Sequence, residues 1–292
     1  MPISLPAIEI DAKTFLSEHF ALPPLPEVSV RIMERISSGQ AGAKEVADLL
    51  RSDAALVALV FKLVNSAYYS LPLRIERITQ AVAFLGLSEI NRLVMALGVM
   101  QSLQPQDASE FRRFWKHSFY TALISRSVSR TFFRSFELEG LYSAVLLHDI
   151  GKLVYAKFFP QHNAALTEFT STQQCFYSQA EAHYKLPSHL SFGAILCQRW
   201  NLPEAVRLAC TYHELDQLEE FDPQSDDAEF RLVVCASNLM AHLAEGSLSG
   251  ELNEQIFAAL EAGLECNRDE LLVAMGEVYE LQESVSSFLG QL

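Results

Sequence analysis

Residues 141–152 read Leu-Tyr-Ser-Ala-Val-Leu-Leu-His-Asp-Ile-Gly-Lys, and this stretch decides the fold class. Leu141, Ala144 and Val145 recur at the three-to-four spacing of a helix that is apolar almost all round, as a buried helix must be. His148 ends that stripe and Asp149 follows directly. An ionised carboxylate is very costly to bury without a partner, so its presence here points to something that satisfies it. Gly151 fits a helix end just after the pair, leaving Lys152 able to swing over it.

Working outward, the same periodicity runs through the chain. Val28, Ile32 and Ile36 form one stripe, and Val46, Leu49 and Leu50 another. Leu56, Leu59, Val60, Leu63 and Val64 form a third that is apolar nearly all round. Long helices are expected over 88–103 and 107–135. Shorter ones are expected near 139–149, 152–158, 161–170, 174–184, 188–200 and 203–213. Glu214 to Glu229, polar around Pro223, reads as a solvated loop. Beyond it, 229–245, 251–264 and 268–288 read as helices, the last opened by Asn267 with Glu270 three residues on. With only 12 Gly and 11 Pro in 292 residues, turn-forming residues are scarce, and the expected fold is all-α.

Charge divides the chain. Residues 1–213 carry 20 basic and 18 acidic groups, whereas residues 214–292 carry 18 acidic groups against Arg231 and Arg268 alone. The whole chain stands at −14, without the broad basic surface that sequence-independent nucleic-acid binding needs. Arg126, Arg130 and Arg134 form a basic stripe that reads as a solvated face. No apolar run of about 18 residues marks a membrane span, and Met1-Pro-Ile-Ser-Leu-Pro6 does not resemble a secretory signal. A cytoplasmic protein is expected. Cys175, Cys197, Cys210, Cys235 and Cys266 have no C-x-x-C spacing, so they are read as reduced residues inside helical stripes.

Four histidines fall on core-facing stripes. His117 shares a face with Thr121, Ile124 and Val128, and His148 ends its own helix. His189 leads Phe192, Gly193 and Leu196, while His213 closes Val206, Ala209 and Cys210. One buried histidine is commonly a satisfied core residue. Four of them with Asp149 form a donor set suited to Fe, Mn, Zn or Mg, and such an ion can turn bound water into a nucleophile toward a phosphorus ester.

The run His148-Asp-Ile-Gly-Lys152 resembles the core motif of the HD superfamily of metal-dependent phosphohydrolases. A second resemblance, over about 18–213, is to the HDOD family of bacterial signalling proteins. It is carried by Leu22-Pro-Pro-Leu-Pro26, Leu49-Leu-Arg-Ser-Asp53-Ala-Ala-Leu56, Leu63-Val-Asn-Ser-Ala-Tyr-Tyr69 and Ile78-Thr-Gln-Ala-Val-Ala-Phe-Leu-Gly86. The resemblance implies an HD-like multi-helix domain at 18–213, after an N-terminal segment 1–17 and before an acidic helical extension 214–292. It implies metal ligands at His117, His148 and Asp149, with His189 and His213 where two-metal members place more. The closing aspartate is matched by Asn238, which brings no negative charge. Asp149 and Lys152 are the candidate catalytic residues, Lys152 as a phosphate contact. The implied function is a regulatory domain acting through protein partners in a signalling pathway, without nucleic acid or membrane, and able to form homo-oligomers. Its rivals are a phosphohydrolase acting on a phosphomonoester or cyclic (di)nucleotide, and a metal held for structure or sensing without turnover.

Overall fold

The computed structural model describes residues 5–8, 22–66, 69, 71–133, 140–219 and 224–289, and no strand occurs among them. Ala67, Tyr68, Arg134, Asp222 and Pro223, together with most of segment 1–17, lie outside the described residues. The chain forms two compact units: residues 22–104 with 283–292, and residues 1–21 with 105–282.

In the first unit, α1 (Glu27–Ser37), α2 (Ala43–Arg51) and α3 (Ala54–Val64) pack against α4 (Ile78–Ser102). Ile32, Val46, Leu50, Val60, Leu63, Ile90, Leu93 and Leu97 fill the space between them with no exposed surface. Asp53 caps α3 by accepting from Leu56 N at 2.9 Å, the role its position predicts. Asn65, just past the end of α3, latches the following loop. Its amide donates to Phe61 O and Ile75 O at 2.9 Å each, and its oxygen accepts from Ile75 N at 2.7 Å. Gly86 breaks α4 with φ 76° and ψ 164°, a conformation glycine adopts cheaply, so the helix expected over 88–103 is the second half of a longer kinked element. By length and composition α4 could cross a membrane, yet half of its apolar window is buried against neighbouring helices.

In the second unit, α5 (Ala108–Phe132) is the central helix and packs on α6 (Leu141–Leu146) and α13 (Ala228–Glu245). Between them in sequence come α7 (Ile150–Phe158), α8 (Pro160–Gln173), α9 (Tyr177–Tyr184), α10 (His189–Arg199), α11 (Glu204–Thr211) and the short α12 (Leu215–Glu219). α14 (Gly250–Gly263) packs on α12 and α13, and α15 (Arg268–Leu289) closes the described chain. Asn267 and Glu270 form the predicted reciprocal cap of α15, each accepting from the other's backbone N–H at 3.0 Å. Leu271, Ala274, Met275 and Val278 bury one face of this helix, and Tyr120 donates to Val278 O at 2.7 Å.

The structure refines several of the sequence readings. Gly151 does not end a helix: α6 stops at Leu146, and Gly151 lies in the first turn of α7. A Cβ there would sit 1.9 Å from His189 O, so the bare backbone is what lets α7 approach α10. The polar stretch after His213 is not all loop, because Leu215–Glu219 is helical. Cys175 and Cys266 lie outside helices, half-buried, while Cys197, Cys210 and Cys235 are buried in them; all five are free thiols. The acidic segment, read as an extension, shares its compact unit with residues 105–213 as far as Gln282.

Candidate metal centre

The close crossing of α7 and α10 sets the geometry of the site. Three residues, Leu147 to Asp149, turn the chain from α6 into α7, so His148 and Asp149 project from a tight corner rather than from a helix face. His189 opens α10 behind its Ser188 cap, whose hydroxyl accepts from Leu190 N at 3.1 Å. His213 sits two residues past α11, in a turn where Gln217 accepts from the N–H groups of both His213 and Glu214. His117 comes from the middle of α5, and Asn238 faces it from α13.

These side chains converge on Asp149, which is 2% exposed. Its Oδ1 lies 3.2 Å from His213 Nε2 and 3.7 Å from His189 Nε2. Its Oδ2 lies 3.5 Å from His148 Nε2, 3.7 Å from His117 Nε2 and 2.7 Å from Lys152 Nζ. Asn238 donates to His213 O at 2.8 Å, which turns its Oδ1 toward His117 Nε2 at 2.9 Å. All the residues singled out in the sequence are thus brought together.

The outer nitrogens of the histidines are already engaged. His148 Nδ1 donates to Val145 O at 2.7 Å and His213 Nδ1 to Ala209 O at 2.9 Å. His189 Nδ1 donates to Glu181 Oε2 and His117 Nδ1 to Glu245 Oε2, both at 3.0 Å. Pinning Nδ1–H in this way directs Nε2 inward as a donor, the arrangement metal-ligating histidines require. Two inward atoms make no hydrogen bond: His148 Nε2 and Asp149 Oδ1. Buried polar atoms are rarely left so, and a divalent ion would satisfy both. The donor set fits a metal.

The ionisation states agree. Burial alone would raise the Asp149 carboxyl, but Lys152, His148 and His213 hold it well below its usual range. Lys152 is pushed up because Asp149 and Glu214 outweigh its burial. Burial holds His148 neutral, far below its ordinary value, which suits a ligand. Burial would also depress His117 and His189, yet Glu245 raises the first, and Glu181 with Glu214 lifts the second to about 9.

Four residues of the site are not among the sequence candidates. Glu214, 4% exposed, places Oε1 3.4 Å from His189 Nε2, and its Oε2 accepts from Ser178 at 2.9 Å. It falls in the stretch that reads as a solvated loop, though its place directly after His213 is a legible signal. His242 and Glu245 follow Asn238 at helical spacing, so one face of α13 carries all three. Glu181 is a lone acid on α9 with no such mark. Lys152 does not swing free: it is tied to Asp149 and lies 5.4 Å over the Tyr177 ring. A cavity of about 620 Å³ opens beside it, lined by His117, Asp149, Lys152, His242, Arg113 and Lys116 among others.

The second unit thus brings four inward imidazoles around one shared carboxylate. The model of the HDOD domain matches residues 22–215, and the chain belongs to that family. A solved HDOD domain protein of unknown function from Geobacter sulfurreducens is similar with TM-score 0.66 and 24% identity, over 96% of this chain and 95% of that one. A proposed metal-dependent phosphohydrolase from Shewanella amazonensis SB2B has TM-score 0.66 and 19% identity, over 95% and 96%. An uncharacterized protein of Treponema pallidum (strain Nichols) is 28% identical over 192 residues, 66% of this chain and 37% of that protein. YuxH of Bacillus subtilis (strain 168), also uncharacterized, is 30% identical over 123 residues, 40% of this chain and 30% of its own length. The chain therefore spans about a third of the curated relatives it matches.

Proposed function

We propose that this chain is a regulatory domain of a bacterial signalling system, cytoplasmic, holding a divalent metal ion and acting through protein partners. The observation that carries the metal is the unpaired state of His148 Nε2 and Asp149 Oδ1 inside a ring of donors whose outer atoms are all engaged. Two features favour regulation over turnover. The closing position is the neutral amide of Asn238, and Lys152 is committed to Asp149 at 2.7 Å. Partner contact finds support in α15, where Leu272, Val273 and Tyr279 are exposed on an acidic helix. A bound ion supplies positive charge to the buried carboxylate and, where a coordination position stays open, lowers the pKa of water.

The cavity favours a second reading, hydrolysis of a phosphate ester. Arg113, Lys116 and Lys152 line its wall beside Asp149 and would attract an anionic substrate.

The experiment is metal analysis of wild type and Asp149→Asn, together with a screen of phosphomonoesters and cyclic dinucleotides. The regulatory reading expects metal in wild type, none in the variant, and hydrolysis by neither. Robust hydrolysis by wild type that Asp149→Asn abolishes would replace it with the second reading.

A further inference from the structure

We propose a second cation site, separate from the buried centre and opening on the cavity, in which His117, His242 and Glu245 hold a divalent transition-metal ion. The ligands that the family resemblance implies include neither His242 nor Glu245.

The fold gathers the set from two helices. Asn238, His242 and Glu245 stand at i, i+4 and i+7 on one face of α13, and α13 packs on α5, which brings His117 against them. His117 Nδ1 lies 3.0 Å from Glu245 Oε2, and the His117 and His242 ring centres are 4.8 Å apart. Donor atoms of all three residues lie within 4.8 Å of one another. Donors bound at about 2.0–2.2 Å to one tetrahedral ion stand roughly 3.3–3.6 Å apart, so a side-chain adjustment on the order of 1 Å gathers them.

Two further observations point to an ion here. His242 Nδ1 is buried and makes no hydrogen bond among the described residues, a state that a bound cation relieves. Asn238 decides which nitrogen of His117 is available. Its amide nitrogen donates to His213 O at 2.8 Å, which turns Oδ1, an acceptor only, to His117 Nε2 at 2.9 Å, so Nε2 carries the proton. Nδ1 is then the ligand atom, and the ion replaces the proton that it now gives to Glu245. His117 differs in this from His148, His189 and His213, which remain with Asp149 for the buried centre. Burial holds His242 neutral, at about 3. Burial would raise Glu245, but the neighbouring His117 keeps its carboxyl ionised, at about 2.

Two imidazoles and one carboxylate make an open zinc site, with a fourth position left for water or an anionic oxygen. All three residues line the cavity of about 620 Å³ together with Arg113 and Lys116, so that position is reached from it, whereas His148, His189 and His213 do not line it. The His117 and Glu245 side chains are 12% and 18% exposed, and three such ligands hold an ion less firmly than a sealed set. The ion is expected to exchange with free metal and to leave on desalting.

The test is equilibrium dialysis of the full chain against Zn²⁺ up to saturation, in wild type, His242→Gln, Glu245→Gln and Asp149→Asn. Wild type is expected to take up two ions, one of which is lost on desalting. His242→Gln and Glu245→Gln should each take up one and keep it through desalting, whereas Asp149→Asn should take up the exchangeable ion alone. Should the substituted chains fail to fold, the imidazole proton signals of His242 in wild type still decide, since Zn²⁺ should shift them between the first and second equivalents. Saturation at a single ion that resists desalting, two ions in both His242→Gln and Glu245→Gln, or His242 signals that Zn²⁺ leaves unmoved would overturn the site and leave the buried centre in place. Saturation at a single exchangeable ion, lost in Glu245→Gln and kept in Asp149→Asn, would uphold the site and overturn the buried centre. No uptake by wild type would overturn both.

Discussion

His189 Nε2 and His213 Nε2 stand 3.2 Å apart with both Nδ1 atoms already donating, to Glu181 and to Ala209 O. Each Nε2 also faces a carboxylate oxygen, Glu214 Oε1 at 3.4 Å from His189 and Asp149 Oδ1 at 3.2 Å from His213. Glu181 and Glu214 lift His189 to about 9, so in the metal-free protein its imidazole carries a second proton at neutral pH. A metal ion must displace that proton.

Metal binding is therefore expected to release protons at neutral pH and to tighten as pH rises toward 9. Calorimetry in two buffers of different ionisation enthalpy measures the release. No difference between buffers would show that His189 enters the site already neutral.

The metal-free protein should respond in the opposite sense. Because the folded value of His189 lies above its ordinary 6.5, its contribution is complete below pH 6.5 and is lost as pH climbs through 9, a change on the order of 3 kcal/mol. Thermal melts with chelator should fall across that window, and the metal-loaded protein should not follow them.

Glu181 is a positioning residue in this scheme, accepting from His189 N at 2.7 Å and from Nδ1 at 3.0 Å. Glu181→Gln should reduce Zn²⁺ affinity by about 10–100-fold and lower the pH at which His189 titrates. A proton NMR titration of the imidazole separates this from general loosening, which would leave that pH unmoved.

Gly151 and Gly276 give a paired test of the fold. Gly151→Ala places a methyl 1.9 Å from His189 O and should cost about 3 kcal/mol or more, with loss of metal binding. Gly276→Ala, on an open face of α15, should stabilise by about 0.5–1 kcal/mol. Denaturant melts read both, and equal effects would contradict the close crossing of α7 and α10.

Asn65→Ala should lower stability by about 2–3 kcal/mol, since it removes two hydrogen bonds to Ile75 and one to Phe61 O at the end of α3. A melt unchanged from wild type would show that the loop closes without the latch.

Much of this was legible in the sequence because its causes are local. Helical spacing placed α1 to α3 and α13 to α15 within a few residues, and Asn267 and Glu270 announced their cap. His117, His148, Asp149, His189 and His213 stood out as polar groups on apolar stripes, Asn238 was picked out by the family resemblance alone, and all six meet in space. What stayed hidden depends on non-local packing. Gly151 looked like a helix end because only the approach of α10 reveals its purpose. Glu214 was lost in a polar run, although its burial follows from Gln217 folding the turn around it. Glu181 carries no sequence mark, since its partner lies eight residues away in another helix.

The most direct measurement for the central claim is the metal content of wild-type chain equilibrated with Zn²⁺, desalted and analysed by elemental mass spectrometry. One ion per chain, abolished by Asp149→Asn, is the predicted result. A desalted wild type that holds no more Zn²⁺ than the variant would contradict it.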